Sequence, residues 1–248
     1  ADQGPGQKLW KPSNCTKKFY GPSTLRLGIE KSRNLITVRL AQRLGMEVVS
    51  RYAERFGVAE EFPELLSASL GAAETTLLKL TTAYAMLVNG GKKIVPTFID
   101  RVQDRLGKTI FKHEARSCDV CNNVEWNANL PPVIPDNREQ LVDPQSAYQV
   151  VSMLEGVVKR GTGIRIKTLN RSLAGKTGTT NQSHDAWFVG FSPDLAVGIF
   201  VGFDRPKAMG RRETGSSVAV PIFRAFMEKA LKRVSAIKQG NPLEMDTM

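Results

Sequence analysis

The sequence predicts an α+β domain, with helices first and then an antiparallel sheet closed by a terminal helix. Three observations lead there. Apolar residues recur at helical spacing from Leu25 to Leu44, from Leu77 to Leu87 and from Ala147 to Val158. Two apolar runs, Asp185 to Phe191 and Leu195 to Phe203, flank Ser192-Pro193-Asp194 as the arms of a hairpin. A last stretch, Val218 to Val234, shows a single apolar helical face through Val220, Ile222, Phe223, Phe226, Met227, Ala230, Leu231 and Val234. Hydrophobic residues make up 41% and charged residues 24% of the 248, a globular composition with material for a real core. That excludes a disordered tail, a collagen-like fibre and a miniprotein framed by disulfides.

Residues 1–23 read as a loop-like lead-in, rich in Gly, Pro, Lys and aromatics (Trp10, Phe19, Tyr20). The domain itself is expected over 24–234 and a polar tail over 235–248. Helices follow one another to Gly45, a stop; Val48 to Gly57 gives a further short helix, and about Thr75 to Val88 a third, ended by Asn89-Gly90-Gly91. From Lys93 to Lys112 the pattern becomes short β runs, Ile94-Val95 and Phe98-Ile99, with Asp104-Arg105-Leu106-Gly107 as a turn before Ile110-Phe111. Residues 113–143 are polar and Pro-containing, an irregular excursion. A helix from Pro144 to about Lys159 takes Asp143 as its N-cap and Gly161 as its stop. Leu173 to Thr179 is a strand.

The opening Ala1-Asp2-Gln3-Gly4-Pro5-Gly6 lacks the basic start and apolar stretch of a signal peptide. No apolar run approaches the ~18 residues of a membrane helix. A start within a Gly/Pro-rich loop is expected of a piece whose export signal and anchor lie elsewhere. The net charge of +11 suits an anionic neighbour without naming it. No module interleaving aromatic and basic residues stands out, so no nucleic-acid partner is expected.

Gly175-Lys176-Thr177 resembles the end of a phosphate-binding loop, but the required earlier glycine is missing, since position 170 is Asn170. The following Thr179, Thr180, Asn181 and Gln182 also lead into β-type sequence rather than a helix. Lys176-Thr177-Gly178 on an edge strand fits a different chemistry, acyl transfer by a serine, when paired with a Ser-x-Asn such as Ser32-Arg33-Asn34, expected on a helix. Such chemistry needs a nucleophile, a proton carrier and donors aimed at an oxyanion.

The flanking sequence makes the pattern specific. Phe19-Tyr20-Gly21-Pro22-Ser23-Thr24-Leu25-Arg26, Glu30-Lys31-Ser32-Arg33-Asn34, Lys159-Arg160-Gly161-Thr162-Gly163, Ala174-Gly175-Lys176-Thr177-Gly178-Thr179-Thr180-Asn181 and Asp185-Ala186-Trp187-Phe188-Val189-Gly190 closely resemble the transpeptidase domain of class A penicillin-binding proteins. The resemblance runs from about Asp2 to about Lys232. It implies the penicillin-binding protein and serine β-lactamase-like fold, an antiparallel sheet packed between helices. The implied activity is peptidoglycan cross-linking by D-alanyl-D-alanine transpeptidation, on the periplasmic side of a bacterial inner membrane. The implied partners are stem peptides, β-lactams, an upstream glycosyltransferase domain and a membrane anchor.

By the same resemblance the catalytic residues are Ser32, which passes a proton to or from an amine, Asn34, which holds the substrate peptide and the first-motif lysine, and Lys176, whose charge favours the developing anion. Thr177 and Thr179 offer hydroxyls to the substrate carboxylate, the Thr179 amide an oxyanion donor, and Gly178 room for a peptide along the strand edge. No cofactor or metal is implied.

The family's nucleophile, in a Ser-x-x-Lys ahead of Ser-x-Asn, is not in this sequence. The only such spacing, Ser235-Ala236-Ile237-Lys238, follows the third motif and reads as a solvated helix end. The expected source of the nucleophile and its lysine is therefore an upstream segment of a larger enzyme, and this chain alone is expected to be inactive. A carboxypeptidase or β-lactamase-type hydrolase, or a non-catalytic peptide-binding fragment, are the alternatives. Cys118-Asp119-Val120-Cys121 forms either a local disulfide, which the exported location favours, a reduced pair or part of a metal site. With His113 it supplies only three metal ligands, and Cys15 is distant in sequence. His184 beside Asp185 reads as a rim residue rather than part of a triad, because neighbours on a strand point to opposite faces.

Overall fold

A computed structural model describes residues 10–113, 136–180, 183–210 and 212–238, with side chains of 234–238 left aside. Three of the α-helices start where the sequence offers a side-chain cap. Thr24 accepts from the Leu27 amide to open α1 (Leu25–Glu30). The next helix, α2 (Asn34–Leu44), runs into Gly45, whose φ of 86° turns the chain directly into α3 (Met46–Arg55). Thr76 caps α4 (Leu77–Val88) through the Lys79 amide. The hairpin β1 (Arg101–Gln103) and β2 (Thr109–Lys112) is held at its turn by Asp104, whose carboxylate accepts from the Leu106 and Lys108 amides. As expected, Asp143 caps α5 (Pro144–Arg160), with Pro144 in the first turn where its missing N–H costs nothing.

The sheet consists of β3 (Ala174–Thr179), β4 (Ala186–Phe191) and β5 (Ala196–Val201) in that spatial order, all antiparallel. Side chains alternate across it, so β4 feeds two cores. Phe188 points to the face covered by α6 (Val220–Lys238), where its ring meets Phe223 edge-on at 4.8 Å beside Met227, Ile166 and Val158. Phe191 points to the other face, against Leu154 of α5 and Tyr84 of α4. Glycine makes the room: a Cβ on Gly175 would lie 2.6 Å from the Phe188 ring, and one on Gly190 2.5 Å from it. The expected fold class, an antiparallel sheet between helical layers, is the one observed. No helix among the described residues is long and apolar enough to cross a membrane.

Some local expectations fail. Ile94-Val95 and Phe98-Ile99 precede the first hairpin strand rather than forming it; pairing begins at Arg101 opposite Lys112. The final helix is entered through a π-helical turn, Gly215–Ala219, closed by a Thr214–Ser217 capping box, and it continues to Lys238 rather than Val234. Two 3-10 segments, Leu66–Leu70 and Ile164–Leu169, have no periodicity long enough to be read from sequence. Cys118 and Cys121 lie outside the described residues.

Candidate active site

Ser32 is not on a helix. It terminates α1 in a left-handed conformation, φ 51°, with its N–H bonded to the Ile29 carbonyl and the Arg33 N–H bonded to Gly28. These are the two hydrogen bonds of a Schellman motif, with serine where glycine is usual. Helical periodicity on both sides hid the break, because α1 and α2 approach closely: a Cβ on Gly28 would lie 2.5 Å from Ile36. A left-handed L-residue costs about 1–2 kcal/mol, a kind of strain that clusters at functional sites. The return is directional: the Ser32 hydroxyl leaves the helix axis and faces the sheet.

There it meets Lys176 of β3, whose Nζ donates to Ser32 Oγ at 2.7 Å and to the Thr177 carbonyl at 2.8 Å. Burial strips hydration from the ammonium group and pulls its pKa from 10.5 down to about 8, while the charge of Cys15 pushes it partly back up. An amine titrating there can hold or release a proton near neutrality. The two expected motifs, 144 residues apart in the chain, are thus brought into contact.

The strand edge is open on the side of this pair, since β3 has only β4 as a neighbour among the described residues. The Thr180 amide donates to the Asp185 carbonyl, toward β4. The unbroken register of β3 on β4 then turns the N–H and C=O groups of Thr177 and Thr179 to the free edge by alternation. An extended peptide or an oxyanion arriving at that edge finds backbone donors aimed at it.

The threonine side chains divide. Thr177 is 9% exposed, and its hydroxyl pairs with that of Thr162 at 2.8 Å rather than facing the edge. Thr179 is exposed; its hydroxyl accepts the Gly215 amide at 2.9 Å, which leaves its own proton for a ligand. Gly178 also takes part in a close approach within the chain. A Cβ on Gly215 would lie 2.4 Å from the Gly178 carbonyl, so the π-helical turn is pressed onto this strand.

Asn34 is anchored by its amide, which donates to the Ser13 carbonyl at 2.9 Å. Residues 13–18, read as a loose lead-in, are tied to α2. Arg33 offers α2 no side-chain cap, and buried Asn14 supplies one from a distance by accepting the Leu35 amide. That seat brings Cys15 close enough to Lys176 to affect it.

Sequence reasoning missed Thr162, Glu30, Arg160 and Asn14 as site-building residues. The first three lie inside stretches that carried the family resemblance, and that was the available signal. His184 is half-buried and bonds no residue of the Ser32–Lys176 pair in the described contacts. No cluster of potential metal ligands occurs among the described residues.

A serine and a lysine in contact at an open sheet edge, backed by apolar packing, make up the site. The family profile described as "Penicillin binding protein transpeptidase domain" matches residues 2–228, and the chain belongs to that family. Penicillin-binding protein 1A of Rickettsia bellii is 46% identical over 93% of this chain, and that of Neisseria gonorrhoeae 36% identical over 98%. The chain spans only 29% and 28% of the lengths of those two relatives. Among solved structures, penicillin-binding protein 1A from Haemophilus influenzae superposes with a TM-score of 0.78 at 32% identity, covering 93% of this chain and 37% of that one.

Proposed function

We propose that these residues form the substrate edge and proton relay of a serine D-alanyl-D-alanine transpeptidase that cross-links peptidoglycan stem peptides and is acylated by β-lactams. The observation that carries the proposal is the 2.7 Å contact of Lys176 Nζ with Ser32 Oγ beside the open edge of β3. The attacking hydroxyl and its lysine come from a Ser-x-x-Lys segment outside these residues. That hydroxyl adds to the penultimate D-alanine carbonyl, and the Thr179 N–H on the free edge stabilises the oxyanion. The C–N bond to the terminal D-alanine breaks, and the hydroxyl's proton reaches the departing amine through Ser32. A stem-peptide amine then attacks the ester to form the new amide C–N bond, its proton passes through Ser32 to the departing serine oxygen as the C–O bond breaks, and the serine hydroxyl is regenerated.

Lys176 as a cation lowers the cost of the negative charge, and Thr179 Oγ–H meets the substrate carboxylate. Thr177 acts one step back, through its bond to Thr162, and Asn34 completes the peptide-facing wall. The relatives' greater length is consistent with a glycosyltransferase domain and membrane anchor in the same protein, with this domain on the periplasmic side.

The test is covalent labelling with a fluorescent penicillin. The longer protein that includes the preceding Ser-x-x-Lys segment takes up one label per chain, stable to denaturation; residues 1–248 alone take up none. Labelling of a serine within residues 1–248, or none on the longer protein, refutes the proposal. Product analysis with and without an acceptor amine separates transpeptidation from hydrolysis.

A further inference from the structure

Glu30 is 2% exposed, two residues before Ser32, and it faces a matched set of groups. Arg160, at the end of α5, grips its carboxylate with two nitrogens, Nε to Oε2 at 2.9 Å and Nη2 to Oε1. Arg26 stands 4.0 Å from the same carboxylate. The main chains are joined as well: the Thr162 amide donates to the Glu30 carbonyl at 3.2 Å, and Lys31 Nζ donates to the Arg160 carbonyl. Two glycines make the seat. A Cβ on Gly156 would lie 2.1 Å from Glu30 Oε1, and one on Gly161 2.3 Å from the Glu30 carbonyl.

The contacts close a ring. Ser32 meets Lys176; the next residue, Thr177, meets Thr162; Thr162 follows Arg160 by two positions and holds Glu30; and Glu30 precedes Ser32 by two. A carboxylate buried this deeply costs several kcal/mol unless paired, and removing one partner of such a pair is more damaging than never having had it. For mere anchoring of the loop, a well-packed apolar pair would serve at a lower desolvation cost. A charged pair with bidentate geometry fixes direction as well as distance.

We propose that Glu30 and Arg160 are positioning residues that set the register of the Ser32 turn against β3, and so the separation of Ser32 Oγ from Lys176 Nζ. The proposal rests on the transpeptidase reading for its kinetic consequence but not for its geometry. Among the described residues, the groups recorded against Lys176 are the Ser32 hydroxyl from the α1–α2 turn, Cys15 from the N-terminal segment and the Thr177 carbonyl of its own strand.

Two variants test it. Arg160→Lys keeps the charge and loses the fork, and because the Arg160 side chain is 54% exposed the chain still folds. Glu30→Gln leaves Arg160 unmatched and is compared only where its melting is cooperative. The first measurement uses this chain and no activity: titration of Lys176 by NMR of lysine labelled at Cε. In Arg160→Lys the midpoint rises from about 8 toward 10.5, because a loosened contact lets water reach the ammonium. The second measurement uses the longer protein, where the acylation rate constant for labelled penicillin falls about tenfold or more while the dissociation constant of the prior complex stays within about twofold.

A folded Arg160→Lys with both the titration and the acylation constant unchanged overturns the proposal. If the unsubstituted longer protein is not acylated at all, the transpeptidase reading falls, and the titration still decides on the positioning pair.

Discussion

At the scale of single residues, the site trades backbone comfort for direction. Ser32 sits at φ 51° at the end of a helix, and from there its hydroxyl meets Lys176. Ser32→Gly relieves that strain and removes the hydroxyl. Thermal melting of the variant should give equal or higher stability, by up to about 1 kcal/mol, and penicillin acylation of the longer protein should fall by about a hundredfold. A drop in stability would mean that the serine side chain holds the turn. Thr177 teaches the opposite lesson. Its hydroxyl is buried against Thr162, so Thr162→Val leaves it without a partner, and urea unfolding should report a loss of about 1–3 kcal/mol.

Elements explain why those residues stay in place. The β3 edge is supported from behind by the π-helical turn, which passes within contact of the Gly178 and Trp187 carbonyls. Gly215→Ala forces the turn off the strand, and both the denaturation midpoint and the acylation rate should drop. The control is Asp143→Ala at the far end of α5, where loss of the cap costs about 1 kcal/mol but leaves acylation unchanged. Equal effects of the two substitutions on acylation would show that general stability, and not the strand edge, governs the rate. The Asn14 cap belongs to the same scale: a residue from the lead-in completes a helix that begins twenty residues later.

For the molecule as a whole, Lys176 links stability to pH. The unfolded chain holds its proton to about 10.5, the folded one only to about 8. Between those values the unfolded state binds more protons, so this group's contribution to stability rises with pH, and its full burial penalty is present below about 8. Lys176→Met should therefore be more stable than the parent at pH 7, with the difference shrinking from pH 8 to 10.5 in urea titrations. Acylation behaves inversely if the cation is the working form, declining as pH rises through about 8. Burial is the larger influence on Lys176, and Cys15 opposes it.

Much of this was legible from residue order alone. The helix expected from about Thr75, the Asp143 cap, the hairpin around Ser192-Pro193-Asp194 and the Lys-Thr-Gly strand depend on neighbours a few positions apart, and periodicity and capping chemistry record such neighbours directly. The pairing of Ser-x-Asn with Lys-Thr-Gly was legible too, through the family likeness. Tertiary structure alone decided the left-handed turn at Ser32, the Asn14 cap, the Thr162–Thr177 pair and the Glu30–Arg160 grip. The last three join segments with no local signal for one another. A serine adopts an uncommon φ, and an acid goes underground, only because a distant partner is already there to receive it.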